Sequence, residues 1–262
     1  MPVTNAAVSC DVSLHTDPGV PLKIATVSEV NERRELGCAS VLLLAFDTAT
    51  PAVTVALHDG QRLLAEAVTV DARRHGELLA PSIAKVIADA GAQPGDLTAI
   101  VTGVGPGPYT GLRVGVVTAR VFGRTLGVPV YGVCTLDVLA RAAVPAAAGR
   151  EFLAVTDARR KELYWAQYDG SGARLCGPAV SRPDAIPDGA VLPVAGQAAA
   201  LYPDELGEPI WREHPSAAVL AELAAEHLRV PDEGGVLLPP QPLYLRRPDA
   251  RVPGPPKRVT SP

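Results

Sequence analysis

Apolar positions along the chain fall into short runs separated by polar turns, a pattern typical of alternating strands and helices. The run at 41–46 is continuous, which predicts a strand buried on both faces. A polar turn at 47–51 follows, and apolar residues then alternate with smaller or polar ones at 53–57 and again at 64–70. These runs predict an antiparallel meander of strands.

The stretch 71–91 carries its apolar residues on one face at helical spacing, which predicts a helix. Pro81 is expected to kink this helix unless the helix begins near Glu77. The remainder of this first unit alternates strands and helices. They are predicted as a strand at 97–101, a helix at 110–126 ended by Gly127, a strand at 129–133 and a helix capped by Thr135 that ends near Ala143.

The second half of the chain has weaker signals. Strands are predicted at 152–156 and 163–168, joined by a basic turn at 157–162. The stretch 170–215 is rich in Pro and Gly and holds only short apolar pieces, and Ser216 is predicted to cap a helix that ends near Leu228.

This division predicts a complete first lobe at 41–146 and a shortened second lobe at 147–248. Residues 1–40 lack sustained periodicity, which predicts a disordered extension or a mis-assigned start, with translation beginning near Val41. The Pro-rich end at 249–262 is predicted to be a disordered tail.

A glycine-rich segment at 103–113, Gly-Val-Gly-Pro-Gly-Pro-Tyr-Thr-Gly-Leu-Arg, joins a predicted strand to a predicted helix. Glycines allow close approach of the backbone to another group, and the amides of a helix start attract anions. This order of elements favours phosphate binding, although a tight turn without a ligand fits equally well. The segment is not a P-loop, because no Lys-Ser/Thr pair follows its last glycine, and Pro108 stands where the dinucleotide fingerprint has its third glycine.

Composition narrows the class of protein. The chain is 47% apolar but carries a net charge of −4, so it is not expected to grip nucleic acid tightly by itself. Its four cysteines lack paired spacing, which favours reduced thiols in a cytoplasmic protein. No apolar run reaches the roughly 18 residues that span a bilayer, so no membrane association is expected.

Several motifs together resemble a known family. A first strand that ends in Asp and leads into a hairpin resembles the α/β, two-lobed, ribonuclease-H-like fold of the actin/Hsp70/sugar-kinase superfamily. Motifs at 44–50, 74–83, 103–113, 156–159 and 242–246 resemble the bacterial TsaB (YeaZ) family. The chain departs from the usual family pattern in two places, at Gly76 and at Pro108-Tyr109.

The resemblance implies a non-catalytic subunit of the machinery that makes threonylcarbamoyladenosine beside the anticodon of tRNAs reading A-starting codons. The implied partners are a TsaD-like catalytic paralogue, a TsaE-like ATPase, and tRNA reached through the complex, with a homodimer when the chain is alone. No cofactor is expected to be required. ATP or ADP is expected at most as a weak ligand, or as one shared at an interface.

The glycine segment is interpreted as a vestigial phosphate loop. The residues assigned to it are Asp47, Thr48, Gly105, Gly107, Thr110 and Gly111. Asp47 could hold a metal or a water near phosphates, or could simply bond turn amides. No catalytic residue and no metal ligand is assigned, because none of the five histidines pairs at metal-ligand spacing.

The main alternative function is a stand-alone ATP-dependent sugar or acyl kinase of the same superfamily. Such a kinase needs a second glycine-rich phosphate turn in the second lobe. The best candidate, 194–197, contains a single glycine. This shortage disfavours the kinase.

The helix at 110–126 is the predicted partner surface. Its arginines share one narrow sector, and small or apolar residues cover the remaining arc of roughly 260°. Small residues repeat every four positions and form a ridge that would let another helix approach closely. Packing of this ridge on the helix at 77–90 of the same chain is the alternative. The residues assigned to the interface are His75, Leu79, Ile83, Gly111, Gly115, Ala119, Phe122 and Gly123.

Overall fold

The computed structural model describes residues 41–229 and 235–246, so the predictions for 1–40 and for 249–262 lie outside the described residues. Within these described ranges, ten strands form two five-stranded sheets. The first sheet contains β1 (Leu43–Asp47), β2 (Ala52–His58), β3 (Leu63–Val70), β4 (Ala99–Gly103) and β5 (Val130–Val133). The second contains β6 (Gly149–Asp157), β7 (Leu163–Gly170), β8 (Arg174–Ser181), β9 (Val194–Ala195) and β10 (Pro209–Trp211).

The two sheets share one topology. The first has the order β3-β2-β1-β4-β5, with β1 to β3 antiparallel and β4 and β5 parallel to β1. The second, β8-β7-β6-β9-β10, repeats this order and these directions. The fold is therefore duplicated, although no repeat is visible in the residue pattern.

Four α-helices in the described part of the chain cover the sheets. They are α1 (His75–Asp89), α2 (Tyr109–Leu126), α3 (Thr135–Ala147) and α4 (Ala217–His227). Helices α1 and α2 bury the face of the first sheet that carries Phe46 and Val55, whereas α4 covers the opposite face around Ala45 and Val101. Helix α3 packs mainly on the second sheet, against Phe152 and Tyr168.

This arrangement corrects the predicted lobe boundary. Residues 147–248 were assigned to the second lobe, but α4 packs on β1 and β2 of the first sheet. The end of the described chain also returns there, because Leu238 pairs with Gly132 of β5. The chain therefore crosses between the lobes after β10, since the apolar side of α4 completes the core of the first sheet.

Some local predictions are confirmed and others need correction, because β8, β9 and β10 lie in the stretch 170–215, where no strand was predicted. Ser216 caps α4 as predicted, with its hydroxyl accepting hydrogen bonds from the amides of Ala218 and Val219. Helix α1 begins at His75 and contains Pro81, so its start was placed too early. Thr135 is the first residue of α3 rather than its cap, because its hydroxyl is engaged elsewhere.

Candidate functional site

The turn after β1 lies directly against the glycine segment. Asp47 is almost fully buried, and its two carboxylate oxygens accept hydrogen bonds from the amide of Ala49 at 2.6 Å and the hydroxyl of Thr135 at 2.7 Å. A side chain at Gly103 would collide with this carboxylate. Burial raises the pKa of Asp47 above its ordinary value, opposed by these hydrogen bonds. Asp47 therefore bonds its own chain on both oxygens.

Thr48 is locked into the first turns of α2. Its hydroxyl donates to the carbonyl of Gly111 at 2.7 Å and accepts from the amide of Gly115 at 3.0 Å. In a regular α-helix these two backbone groups form a hydrogen bond with each other. Here the threonine hydroxyl is inserted between them and bonds both. A Cβ at Gly111 would lie 2.6 Å from the carbonyl oxygen of Thr48. Glycine at 111 and 115 therefore leaves the space that the turn after β1 occupies.

The rest of the glycine loop is packed in the same way. Gly105 has a φ of +89°, and its amide donates to the hydroxyl of Thr135 at 3.2 Å. A Cβ at Gly107 would collide with the carbonyl of Ala49. The structure therefore brings Asp47, Thr48, Gly105, Gly107 and Gly111 together, but the space between them is filled with protein.

The C-terminal strap, defined as residues 235–246, closes over this loop. Leu238 and Leu243 pack against Val104 and Leu112, and the amide of Leu243 donates to the carbonyl of Val104 at 2.8 Å. Arg246 donates to the carbonyl of Ala158 at 3.1 Å in the turn between β6 and β7. The strap thus ties the glycine loop to the basic turn of the second sheet.

A small cleft of about 230 Å³ remains beside the packed loop. It lies between the turn after β1, the starts of α1 and α2, and Arg159. Thr110, the remaining residue assigned to the phosphate loop, lines this cleft and is exposed. His75 also lines it, with Nε2 at 2.8 Å from the carbonyl of Thr50.

The basic turn that borders the cleft has an unusual backbone. Arg159, Arg160 and Lys161 have φ values of 62°, 56° and 60°, in the left-handed region that non-glycine residues seldom adopt. The amide of Arg159 donates to the carboxylate of Asp157 at 2.8 Å, which stabilises the turn. This geometry places Arg159 at the cleft while Asp157 stays at the end of its strand.

The structure contradicts the predicted interface ridge. Seven of the eight assigned residues are buried in their own chain, and only Phe122 is half-buried. The ridge residues Gly111 and Gly115 meet Thr48, and Gly123 meets Val130, because the turn and strands of the first sheet fill the space that small residues leave. The ridge therefore packs on its own chain, and on the turn and sheet rather than chiefly on α1.

A different side of α2 is exposed to solvent. The exposed α2 face is defined as Tyr109, Arg113, Val117 and Val121, which follow one another at four-residue intervals. Val117 and Val121 are 50% and 56% exposed, and Tyr109 is 52% exposed. Half-buried Phe122 adjoins them along the helix. These residues form an apolar stripe with one arginine in it.

Two important residues were missed by the sequence interpretation. Thr135 joins Asp47 to the amide of Gly105. A polar residue just after β5 was a usable signal, because the carboxyl ends of parallel strands meet at one sheet edge. Tyr244 stacks on Tyr109 with ring centroids 5.3 Å apart. No periodic signal in the Pro-rich strap could have indicated that contact.

Within 41–229 and 235–246, no group of three or more His, Cys, Asp or Glu side chains could hold a metal ion. Across those same ranges, no helix combines the length and apolarity needed to cross a bilayer.

The duplicated sheet topology and the glycine loop between β4 and α2 define a two-lobed protein of the actin/Hsp70/sugar-kinase class. The family model described as "TsaD: tRNA N6-adenosine threonylcarbamoyltransferase" matches residues 62–203, more than half of the chain. The chain therefore belongs to this family.

Individual relatives refine the comparison. An uncharacterized protein of Mycobacterium tuberculosis is 45% identical over 214 residues, covering 80% of this chain and 93% of the relative. The tRNA threonylcarbamoyladenosine biosynthesis protein TsaB of Escherichia coli is 35% identical over 133 residues, covering 48% of this chain and 54% of TsaB. The match to an uncharacterized Mycobacterium leprae protein, 46% identical, covers 80% of this chain and 56% of that relative. The chain thus spans little more than half of the length of two of these relatives.

A solved structure agrees with these relatives. The solved structure of YeaZ from Pseudomonas aeruginosa superposes with a TM-score of 0.67 at 29% identity, covering 78% of this chain and all of that one. The resemblance to the TsaB (YeaZ) family is therefore confirmed in both sequence and fold.

Proposed function

We propose that this chain is an accessory subunit of the machinery that transfers a threonylcarbamoyl group to the adenosine 3′ of the anticodon in tRNAs reading A-starting codons. It acts by binding a TsaD-like catalytic paralogue and does not catalyse the transfer alone. The similarity to proteins named for threonylcarbamoyladenosine biosynthesis supports the pathway, and the site geometry supports the accessory role.

The observation that carries the accessory role is the filled glycine loop. Kinases of this superfamily need room for phosphates between the Asp at the end of the first strand and the glycine turns. Here the carboxylate of Asp47 packs on Gly103, and the hydroxyl of Thr48 bonds the backbone of α2. The strap then covers Val104 and Leu112. This packing favours a binding role over the alternative of a stand-alone kinase.

The part of the exposed α2 face around Val117 and Val121, away from Tyr109 and Arg113, is the surface proposed for the paralogue. Contiguous exposed apolar side chains on a helix often mark a surface that binds another protein. Val117, Val121 and half-buried Phe122 provide that surface, and Arg124 and Thr125 beyond them are exposed. The same face would pair two copies when the chain is alone. This assignment replaces the buried ridge, while keeping α2 as the partner helix.

The remaining partners are proposed to act through the complex. A TsaE-like ATPase joins it, and tRNA is held mainly by the other subunits, because a net charge of −4 leaves this chain few phosphate contacts. The open cleft beside Thr110 and Arg159 is where a nucleotide shared with a partner would fit. No cofactor is required by the chain itself.

Association with the paralogue tests this proposal. Val121→Glu places a charge in the exposed α2 face and should weaken binding to a TsaD-like partner at least tenfold, because a buried unpaired carboxylate is costly. Val68→Glu is the matched control, since Val68 is 55% exposed on β3, away from α2. Binding would be followed by analytical ultracentrifugation, with folding checked by circular dichroism. Unchanged binding of Val121→Glu, or equal loss in both variants, would contradict the proposed surface.

A further inference from the structure

Two tyrosines lie together on the surface of a chain that has few aromatic residues. Aromatics make up 4% of the sequence, and all of them lie in the described residues. Tyr109 and Tyr244 are 52% and 46% exposed, whereas every other aromatic side chain is buried or half-buried. Their rings stack with centroids 5.3 Å apart and planes 25° from parallel. The pair exposes ring surface that the core does not use.

One arginine contacts the stacked pair, and two more line the adjoining cleft. The guanidinium of Arg113 lies over the Tyr109 ring, 5.0 Å from its centroid, and Arg113 also bonds the Tyr109 hydroxyl. Among the described residues, Arg113 forms no ion pair with a carboxylate. The adjoining cleft is lined by Pro108 and Thr110, the neighbours of Tyr109, and by Arg73 and Arg159. No acidic side chain of a described residue lines that cleft, although Arg159 forms an ion pair with Asp157 at 3.3 Å.

The pair is held in place by the fold. Tyr109 is the first residue of α2, and the strap carries Tyr244. The strap is anchored on both sides of Tyr244, by the amide of Leu243 on the carbonyl of Val104 at 2.8 Å and by Arg246 on the carbonyl of Ala158 at 3.1 Å. The rings are therefore positioned before any ligand binds, which lowers the entropic cost of binding.

We propose that Tyr109 and Tyr244 form a stacking platform for an unpaired base of RNA, with Arg113 and Arg159 contacting the adjoining phosphates. Single-stranded nucleic acids are bound by this combination, in which exposed aromatic faces take the bases and arginines take the backbone. The assignment of the RNA as tRNA rests on the proposed function. The platform contributes one or two contacts to an RNA held mainly by other subunits, in keeping with the net charge of −4.

The test uses the isolated full-length chain and a single-stranded RNA of about ten nucleotides that contains one 5-iodouridine. Ultraviolet cross-linking followed by peptide mass spectrometry should place the cross-link on Tyr244 or Tyr109. Fluorescence anisotropy at low ionic strength should show that Tyr244→Leu weakens binding about tenfold, because a stacked base is lost. Tyr244→Phe keeps the ring and should stay within about twofold of the wild type. Arg159→Gln should reduce the salt dependence of binding by about one phosphate contact.

Three results would overturn the platform. They are cross-links at other residues only, equal RNA binding by Tyr244→Leu and the wild type, and a loss of binding to a TsaD-like partner in Tyr244→Leu with RNA binding unchanged. The last result would make the tyrosines a protein contact. RNA binding is measured here without a partner protein. These measurements can therefore contradict the platform without contradicting the accessory role. RNA binding that depends on Tyr244 would likewise survive a failure of the accessory role.

Discussion

The amide of Gly115 donates a hydrogen bond to the hydroxyl of Thr48 at 3.0 Å, and a Cβ on Gly115 would lie 2.5 Å from that same oxygen. One residue thus supplies both the donor and the space that the threonine needs. The contact joins the turn after β1 to α2 across 67 positions of sequence. It explains why a helix interior tolerates glycine here, where alanine would ordinarily be preferred.

Gly115→Ala should therefore destabilise the protein. The added methyl group displaces the Thr48 hydroxyl from the bonds to Gly111 and Gly115, and we expect a loss of about 2 kcal/mol in the free energy of unfolding. Urea unfolding followed by circular dichroism measures this loss.

Gly76→Ala is the matched control for that substitution. Gly76 lies in α1, and a Cβ there would meet nothing within 4 Å. The same change should leave stability unchanged or raise it by up to about 1 kcal/mol, because alanine restricts the unfolded chain. If both variants lost stability equally, the Thr48 contact would not be the reason for glycine at 115.

Asp47 predicts a specific dependence of stability on pH. Because burial raises the pKa of Asp47 above 3.8, the folded state holds its proton more tightly than the unfolded state. The contribution of Asp47 to stability is therefore present below pH 3.8 and is lost as the pH rises through the folded pKa. The free energy of unfolding should be measured for Asp47→Asn and for the wild type from about pH 4 to pH 7. As the pH rises, the Asn variant should become more stable relative to the wild type.

Asp59 supplies the opposite case. Backbone hydrogen bonds from Arg62 and Gln61 lower the pKa of this exposed carboxyl. The wild-type protein therefore gains stability from Asp59 as the pH rises towards 3.8. Over that range, the free energy of unfolding of Asp59→Asn should fall relative to that of the wild type. The same direction of change in both variants would contradict the assignment of burial as the dominant effect at Asp47.

A buried polar cluster fixes α3 to the second sheet. The Tyr168 hydroxyl donates to Asp137 at 2.7 Å, and Arg174 donates to the other oxygen of that carboxylate at 3.1 Å. Tyr168→Phe leaves one carboxylate oxygen without this donor and should cost about 1 to 2 kcal/mol of stability. A double-mutant cycle with Asp137→Asn should give a coupling of about 1 kcal/mol, whereas simple additivity would show that the hydrogen bond contributes little.

Much of the fold could be predicted from periodicity, since the strands at 43–47 and 163–170 and the helix at 109–126 follow from runs of apolar residues. The occupant of the small-residue ridge could not be predicted. Glycines at Gly111 and Gly115 indicate that something approaches α2 closely, and the identity of that group depends on a turn more than sixty positions away. The prediction of an interface was wrong at this point because spacing carries no information about the neighbour.

The contacts between the lobes could not be predicted from the sequence either. Helices α3 and α4 are both rich in apolar residues, yet α3 packs on the second sheet and α4 on the first. The strap has no periodicity, so neither its pairing with Gly132 nor the stacking of Tyr244 had a signal in the sequence. The placement of the candidate site on the glycine segment stays a prediction, whereas the packing of Thr48, Asp47 and Thr135 around that segment is visible only in the structure.

The most direct test of the account is reconstitution of tRNA modification from purified subunits, each omitted in turn, with the threonylcarbamoyl-adenylate donor supplied. Threonylcarbamoyladenosine would be measured by nucleoside mass spectrometry. The account predicts no modification by this chain alone, and modification by a TsaD-like paralogue that rises at least tenfold when this chain is added and falls again with Val121→Glu. Modification by this chain without the paralogue, or a paralogue unaffected by its addition, would contradict the accessory role.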